Sequence, residues 1–324
     1  MNRSPYHEGE QKLQARLGVR EEIEKIGRRA IRDFMPDEHR EFFAQLPWLL
    51  VGSLDARGRP WASVLTGDPG FITSPDSRTL LISATPASGD PLTEGLRPDA
   101  PAGLLGIELH TRRRNRANGA VSRAAAGHIE IRIDQSFGNC PKYINRKLLE
   151  RRAVEPAPTA PLITDRLDLR ERAIVEASDV LFIASCYVPA GGRDRSHGVD
   201  VSHRGGRPGF VRIETDGSLT IPDYIGNFLF NTLGNIEQDR RCGLLFLDFE
   251  RGDVLQLTAG TWIDWDAPEI TTAAGVQRLL RVQPTEIRLL PASFPLRATT
   301  IDDSPNLADI DPIVAGKSTP EKPR

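Results

Sequence analysis

One block of sequence occurs twice in this chain, and this internal repeat constrains the fold more than any other feature. The segment RPWASVLTGDPGFITSPDSRTLLI resembles the later segment GVDVSHRGGRPGFVRIETDGSLTI. Their shared Pro-Gly-Phe triplets begin at Pro69 and Pro208, an offset of 208 − 69 = 139 residues. Because self-similarity of this kind marks repeated structural units, the sequence predicts two copies of one domain.

Two further blocks keep the same order at nearly the same spacing. The triplet GLL at 103–105 recurs at 243–245, an offset of 243 − 103 = 140 residues. Upstream, LLVGS at 49–53 aligns with LFIAS at 181–185, an offset of 181 − 49 = 132 residues. The second copy therefore has the longer first hairpin, YVPAGGRDRSHG, whose glycines and charges are typical of an exposed turn.

Within each copy, short apolar or alternating runs are separated by turn residues. WASVL alternates as a half-buried strand does, and DARGRP before it is a turn with glycine and proline. A helix-length segment, IGNFLFNTLGNIEQDR, lies between the fourth and fifth strands of the second copy. Six short strands with one helical crossing favour a mainly β fold with a closed or split barrel in each copy, and not a parallel α/β sheet.

The segments that flank the copies complete the predicted domain organisation. Proline and alanine dominate the run AVEPAPTAPLI, which predicts a linker, and the composition of the chain after about residue 292 predicts a mobile tail. In chain order we expect an N-terminal helical segment (1–45, with a break at Pro36), a first barrel copy (46–150), a linker and helix (151–175), a second barrel copy (176–291) and a C-terminal tail (292–324).

Composition excludes several classes of partner. The chain has 324 residues and a formal net charge of −2, so no overall field would attract nucleic acid or an anionic membrane. No apolar run approaches the roughly 20 residues that span a bilayer, and the N-terminus is unlike a secretory signal. Three scattered cysteines and six histidines without HxH or HxxxH spacing indicate no disulfide framework and no metal site, so we expect a cytoplasmic protein.

Parts of both copies resemble a known family. RGGRPGFVRI, SLTIPDYIGNFLFNTLGNI and GLLFLDF in the second copy, and SFGNCPKYI at the end of the first, are similar to FMN-binding split-barrel proteins related to pyridoxamine 5'-phosphate oxidase. The resemblance covers roughly residues 40–150 and 175–266. It implies tandem six-stranded split β-barrels with FMN between them. Since the family normally forms homodimers, the two copies here imply an internal pseudo-dimer or a dimer of whole chains.

The sequence departs from the oxidase members of that family after the fourth strand. There the oxidases carry a phosphate clamp of Arg, Ser and Lys type, whereas this chain has Gly226-Asn227-Phe228 in one copy and Ala87-Ser88-Gly89 in the other. Pyridoxamine phosphate is therefore not assigned as the substrate.

The run from His203 to Arg207 is the first candidate for the FMN phosphate. Its two glycines would let the backbone approach an anion, and Arg204 and Arg207 offer permanently charged forks. The alternative is an ordinary hairpin with exposed arginines. Arg212 on the third strand is a second cation candidate, with an outward-facing strand position as its alternative.

A helix start after Pro222 and Asp223 is the second phosphate candidate. Gly226 and Asn227 are predicted to open the helix, where unpaired N–H groups attract anions; Asn227 could equally be an N-cap. Asn231 lies one turn further on and shares the face of Asn227. Asn235 continues this i, i+4 series and is interpreted as solvated.

The remaining candidates concern the flavin ring and the substrate. Ser63 and Ser202 occupy equivalent strand positions for a ring-edge hydrogen bond, while Asn139 and Lys142 lie either at the ligand or in a turn that leads to a helix over INRKLLERR. The basic run 110–116 is interpreted as a solvated hairpin, with a phosphate-bearing substrate as the lesser alternative. The full candidate set is Ser63, Thr66, Asn139, Lys142, Ser202, His203, Arg204, Arg207, Arg212, Pro222, Asp223, Gly226, Asn227 and Asn231.

Three functions remain open from the sequence. The first is an FMN-dependent oxidoreductase of a small molecule, with a reduced nicotinamide as candidate donor and with His203 or Arg204 placing charge near the flavin. The second is a non-catalytic flavin- or heme-binding module, and the third is a structural barrel without a cofactor. The sequence singles out no catalytic residue.

Overall fold

The computed structural model describes residues 4–153, 160–190 and 194–313. The helices in these residues are α1 (Glu8–Arg16), α2 (Arg20–Ala30), α3 (Asp37–Ala44), α4 (Leu92–Gly95), α5 (Leu169–Ala177), α6 (Asn231–Gln238) and α7 (Glu269–Thr272), with a 3-10 helix at Pro305–Asp309. The strands of the first half are β1 (Trp48–Leu54), β2 (Pro60–Thr66), β3 (Ile72–Thr73), β4 (Thr79–Ile82), β5 (Pro101–Glu108), β6 (Arg113–Ala125), β7 (His128–Gly138) and β8 (Arg146–Arg151). Those of the second half are β9 (Leu162–Thr164), β10 (Val180–Tyr187), β11 (Gly198–Gly205), β12 (Arg212–Ile213), β13 (Leu219–Tyr224), β14 (Arg241–Leu247), β15 (Val254–Asp264), β16 (Val276–Leu290) and β17 (Leu296–Asp302). Strands predominate, so the predicted mainly β fold is confirmed.

The two main sheets have the same antiparallel topology. The first has the strand order β2-β1-β5-β6-β7-β4-β3, and the second has β11-β10-β14-β15-β16-β13-β12. Raising each strand number in the first order by nine reproduces the second, as a duplicated unit requires. Each described copy contains seven strands and not six, because GAVSRAAAGHIEIRI turns back at Gly127 and forms both β6 and β7.

Each sheet has its own apolar core, and a third core lies between the sheets. Trp48 and Leu50 from the first copy pack there with Phe182 and Leu245 from the second. The contact is reciprocal. A Cβ on Gly103 would lie 2.4 Å from the carbonyl oxygen of Val199, and a Cβ on the equivalent Gly243 would lie 2.6 Å from that of Pro60. The two copies therefore approach each other backbone to backbone, like the halves of an isologous interface.

The C-terminal segment differs from the predicted mobile tail. Residues 296–302 form β17, which pairs with β8, so INRKLLERR contributes a strand and not the predicted helix. Farther on, Leu307, Ile310 and Ile313 are buried beside Tyr224 and Leu279. Pairing with β8 therefore holds residues 296–302, and apolar contacts with the second copy hold residues 307–313.

The structure describes only part of the predicted linker. Residues 162–164 form β9 on the edge of β16, which places the end of AVEPAPTAPLI in the second sheet. Residues 154–159 of that run, residues 191–193 of the longer hairpin and residues 314–324 of the predicted tail lie outside the described residues. In the part of the chain that is described, no helix combines the length and apolarity needed to cross a bilayer.

Candidate functional site

A cavity of about 950 Å³, open to solvent at its mouth, lies between the two copies. The first copy contributes residues from β5, β6 and the turn after β7, and the second contributes β11, the end of β13, the start of α6 and β16. This figure includes the open space at the mouth. Ten residues of the predicted set line it: Asn139, Lys142, Ser202, His203, Arg204, Pro222, Asp223, Gly226, Asn227 and Asn231.

Four residues of the predicted set lie elsewhere. Arg207 points to the C-terminal segment, where its Nη2 donates to the carbonyl oxygen of Leu307 at 3.2 Å. Arg212 forms an ion pair with Glu269 at 2.7 Å. Ser63 and Thr66 are on β2 and do not line this cavity, since they belong to the equivalent position in the other copy.

The two glycines of the Arg204–Arg207 run serve chain packing. A Cβ on Gly205 would lie 2.0 Å from the carbonyl oxygen of Tyr143, and a Cβ on Gly206 would lie 2.5 Å from Cβ of Phe210. From the sequence, both glycines were predicted to let the backbone approach an anion. Gly205 does line the cavity, but its missing side chain makes room for the protein itself.

Three arginines of the cavity were not recognised from the sequence. Arg114 and Arg116 lie two residues apart on β6 and share one face, so the interpretation of this run as a solvated hairpin is wrong for them. Arg278 reaches the cavity from β16 and is 2% exposed. A signal was present for Arg114. The repeat aligns it with Val254, an apolar position that predicts an inward-facing residue.

Cations outnumber acids around the cavity. Five cationic side chains line it against one carboxylate, a difference of 5 − 1 = 4 charges; the cations are Arg114, Arg116, Lys142, Arg204 and Arg278, and the carboxylate is Asp223. Asp223 pairs with Arg204 and lies 3.0 Å from Nε of Arg278. Burial, together with repulsion from Arg116 and Arg204, lowers the pKa of Arg114 to about 10. An anion in the cavity would relieve this crowding of positive charge.

His203 does not contribute to that charge. Burial, with Arg114 and Arg204 nearby, lowers the pKa of His203 well below its ordinary value. The imidazole is therefore neutral at neutral pH, which leaves Arg204 as the member of the predicted pair that would place charge near a flavin. Its ring packs edge-on against Phe182 at 5.9 Å between centroids.

Several buried donors at the cavity have no acceptor among the described residues. They are Nε of Arg204, Nη1 of Arg278 and Nδ2 of Asn139. A buried donor without an acceptor costs about 1–3 kcal/mol, and more when it is charged. A ligand with several acceptor oxygens would satisfy these groups, so the donor set fits a phosphate-bearing molecule.

The start of α6 also faces the cavity, but it differs from the predicted start. The helix begins at Asn231, four residues after Asn227, and its N-cap residue Phe230 has φ of 62°. Phe228 is also left-handed, with φ of 58°. Non-glycine residues in this region are strained and often cluster at functional sites. Asn231, Thr232 and Leu233 of the first helical turn line the cavity, and the first N–H groups of a helix have no partner within the helix.

The asparagines near α6 have separate roles. Asn227 Oδ1 accepts from the N–H of Leu229 at 3.2 Å, which stabilises the turn before the helix. Asn231 donates to buried Glu10 of α1. Asn235 is 2% exposed and donates to Asp200, so its interpretation as a solvated residue is wrong.

Aromatic rings form the apolar part of the cavity. Tyr143 and Tyr224 lie 5.3 Å apart between centroids. The guanidinium of Arg278 lies 5.3 Å from the ring centroid of Phe230. A planar ligand would therefore meet both flat apolar surfaces and cations.

Several solved structures match about two fifths of this chain. No family model and no curated protein matches the sequence. Among solved structures, HupZ of Group A Streptococcus is 14% identical, with 40% of this chain and 98% of HupZ covered and a TM-score of 0.29. A candidate pyridoxamine 5'-phosphate oxidase of Lactobacillus delbrueckii is 12% identical over 38% of this chain and 94% of its own, with a TM-score of 0.29. HutZ, the heme storage protein of Vibrio cholerae, is 15% identical over 39% of this chain and 95% of its own, with a TM-score of 0.28.

Proposed function

We propose that this chain binds FMN in the cavity between its two copies and acts as an oxidoreductase of a small molecule. The observation that carries the proposal is that Arg204 and Arg278, which lie beside aromatic rings, each have a buried N–H group without an acceptor among the described residues. The resemblance of the sequence to FMN-binding split-barrel proteins suggests the same ligand. When bound, FMN would supply the hydride or electron transfer.

Residues from both copies would hold the ligand. Arg114 and Lys142 of the first copy and Arg204 and Arg278 of the second, together with the first turn of α6, suit the phosphate dianion. Tyr143, Tyr224 and Phe230 suit the flat ring system. The neutral amide of Asn139 and the hydroxyl of Ser202 suit the polar ring edge. The first copy thus supplies cations as well as the wall that the sequence suggested.

An absorbance spectrum tests this proposal directly. The purified chain is mixed with FMN, passed through a gel-filtration column and scanned in the visible range. We expect both flavin bands to elute with the protein, at a mass of one chain if the two copies replace the family's homodimer. A colourless protein peak would contradict FMN binding.

Catalysis is tested separately from binding. With FMN bound, we expect the protein to oxidise a reduced nicotinamide with oxygen faster than the same concentration of free FMN does. Equal rates would leave a non-catalytic binding module as the better description.

His203 supports heme as a second candidate ligand. Its imidazole is neutral and lines the cavity, and a neutral imidazole is the form that binds iron. The propionates of heme would meet the arginines. If heme binds, we expect the Soret band of hemin to shift when the protein is added, and we expect His203→Ala to abolish this shift. A Soret band unchanged by this substitution would contradict ligation by His203.

A further inference from the structure

We infer that the chain keeps only one of two equivalent sites between its copies, and that the other has become a closed structural joint. The inference rests on the proposed function, and it deepens it by giving the stoichiometry and the copy that contributes each half. Two equivalent sites are expected from the topology. The two sheets have the same strand order and contact each other reciprocally, so β6 of the first copy meets β11 of the second, and the equivalent β15 of the second copy meets β2 of the first.

The same hydrogen-bond pair crosses the interface at both positions. At the cavity, Arg116 on β6 donates to Oγ of Ser202 on β11, and at 3.1 Å to the carbonyl oxygen of the residue before it. At the second position, Gln256 on β15 donates to Oγ of Ser63 on β2 at 3.0 Å, and at 2.9 Å to the carbonyl oxygen of the preceding residue. The strand pairing aligns Gln256 with Arg116 and Ser63 with Ser202, so these are equivalent places in the fold.

The second position lacks the cationic side chains that line the cavity. In the aligned strands, Leu65 stands for Arg204, Val64 for His203 and Val254 for Arg114. These three apolar residues are at most 7% exposed and belong to the apolar cores. The replacement of Arg116 by Gln256 removes another charge while keeping its hydrogen bonds. No phosphate could be neutralised by the side chains that remain in these strands.

An acidic side chain also closes the second position. Asp90, 3% exposed, accepts from Oγ of Ser63 at 2.6 Å and from the N–H of Leu92 at 2.8 Å. At the cavity, the equivalent serine meets the hydroxyl of Thr232 instead, at 2.9 Å. Nearby, Arg288 donates to the carbonyl oxygen of Gly89 at 3.0 Å, which ties the β16 strand of the second copy to this loop. The Asp90 carboxyl group therefore takes the place that the Thr232 hydroxyl has at the cavity, and in its ionised form it would repel an anion.

Ligand counting by equilibrium dialysis of the full chain tests the inference. FMN and inorganic pyrophosphate are the probes. We expect one of each to bind per chain. Arg204→Leu introduces the residue that the first copy has at this position, and it should weaken the binding of both probes at least tenfold. Lys142→Met, at the partly exposed rim of the cavity, is the second cavity variant if Arg204→Leu does not fold. Asp90→Asn is the matched variant at the joint, and we expect it to leave the count at one and the affinity within twofold.

The outcomes separate this inference from the proposed function. Two FMN molecules per chain would support the function and overturn the single site. One FMN per chain that is lost with Asp90→Asn, but kept with Arg204→Leu or Lys142→Met, would also overturn it. A third outcome is that one pyrophosphate binds per chain, is weakened by Arg204→Leu or Lys142→Met, and FMN does not bind. This outcome would overturn the proposed function and support the single anion site. Binding of neither probe would overturn both.

Discussion

At the scale of single residues, the cavity is distinguished by the positive charge that remains after its ion pairs are formed. Asp223 is shared by Arg204 and Arg278, while Asp200 accepts from Arg116 at 2.8 Å. Arg114 instead donates through Nε to the carbonyl oxygen of Cys140, which leaves its charge uncompensated by any carboxylate among the described residues. Burial, together with Arg116 and Arg204, lowers the pKa of Arg114, so an anionic ligand would stabilise the charge of this residue.

Replacing Arg114 should therefore weaken FMN binding. A hydrogen bond to a charged group contributes about 1.5–3 kcal/mol, and we expect Arg114→Met to weaken binding by roughly 10- to 100-fold. FMN titration followed by flavin fluorescence measures the change. Arg123→Met is the matched control, since Arg123 is exposed on the same strand. Equal affinities for both variants would show that Arg114 does not contact the anion.

His7 provides a prediction about pH. Burial lowers the pKa of His7 to about 4, against opposing effects of Asp200 and Glu8. Between about pH 6.5 and pH 4 the unfolded chain binds this proton more readily than the folded chain, so stability is lost as the pH falls through that window. Buried Glu10, whose pKa is raised, titrates in the opposite sense, so a variant is needed to isolate His7.

His7→Asn removes that titration and keeps a favourable N-cap residue for α1. We expect the wild-type chain to lose about 2 kcal/mol more than the variant between pH 7 and pH 5. Urea unfolding at both pH values measures the free energies. An identical loss in the two proteins would contradict a buried neutral His7.

At the scale of elements, the close contact between α1 and α6 positions one end of the cavity. Gly9 of α1 lies so near α6 that a Cβ there would be 2.2 Å from the carbonyl oxygen of Gly234. Glu10, the next residue, accepts from Asn231 in the first turn of α6. Helix α1 therefore holds the start of α6, whose first turn lines the cavity, even though α1 lies outside both repeated copies.

Gly9→Ala should disturb this contact. Forcing a methyl group into a packed interface typically costs about 1–3 kcal/mol, and we expect both lower stability and weaker FMN binding. Thermal unfolding and FMN titration measure the two effects. Gly260→Ala is the control, because a Cβ on Gly260 meets no atom within 4 Å. Wild-type behaviour of Gly9→Ala would mean that the helices can separate without consequence.

At the scale of the whole molecule, the two copies share one apolar core. The buried cluster of Trp48, Leu105, Phe182 and Leu245 draws on both sheets, and Gln256 of the second copy bonds the backbone of the first. Neither copy can unfold without exposing apolar surface of the other. This coupling predicts cooperative unfolding of the described domains as one unit.

Urea unfolding followed by two probes tests that coupling. We expect the transition seen by far-ultraviolet circular dichroism to coincide with that seen by tryptophan fluorescence. Trp48 and Trp61 belong to the first copy and Trp262 and Trp265 to the second, so single-copy tryptophan variants report on each half. Separate midpoints for the two halves would contradict a shared core.

The sequence by itself determined the duplication, the mainly β class and most of the second copy's contribution to the cavity. These features depend on local patterns. Alternation, turn residues and repeat spacing are set by neighbours in the chain, and the run from Ser202 to Arg204 lies in the repeated strand β11. Eight of the ten predicted residues that line the cavity belong to the second copy.

Only the tertiary structure decided which charges face that cavity. Arg114 and Arg116 stand in a basic run that looks solvated, and Arg278 lies in a strand distant from every motif; their burial depends on the opposite copy and on β16. The C-terminal segment likewise became ordered because β8 and the second copy offer it partners. Contacts between residues far apart in sequence set burial, and burial determines whether an arginine is a surface charge or part of a binding site.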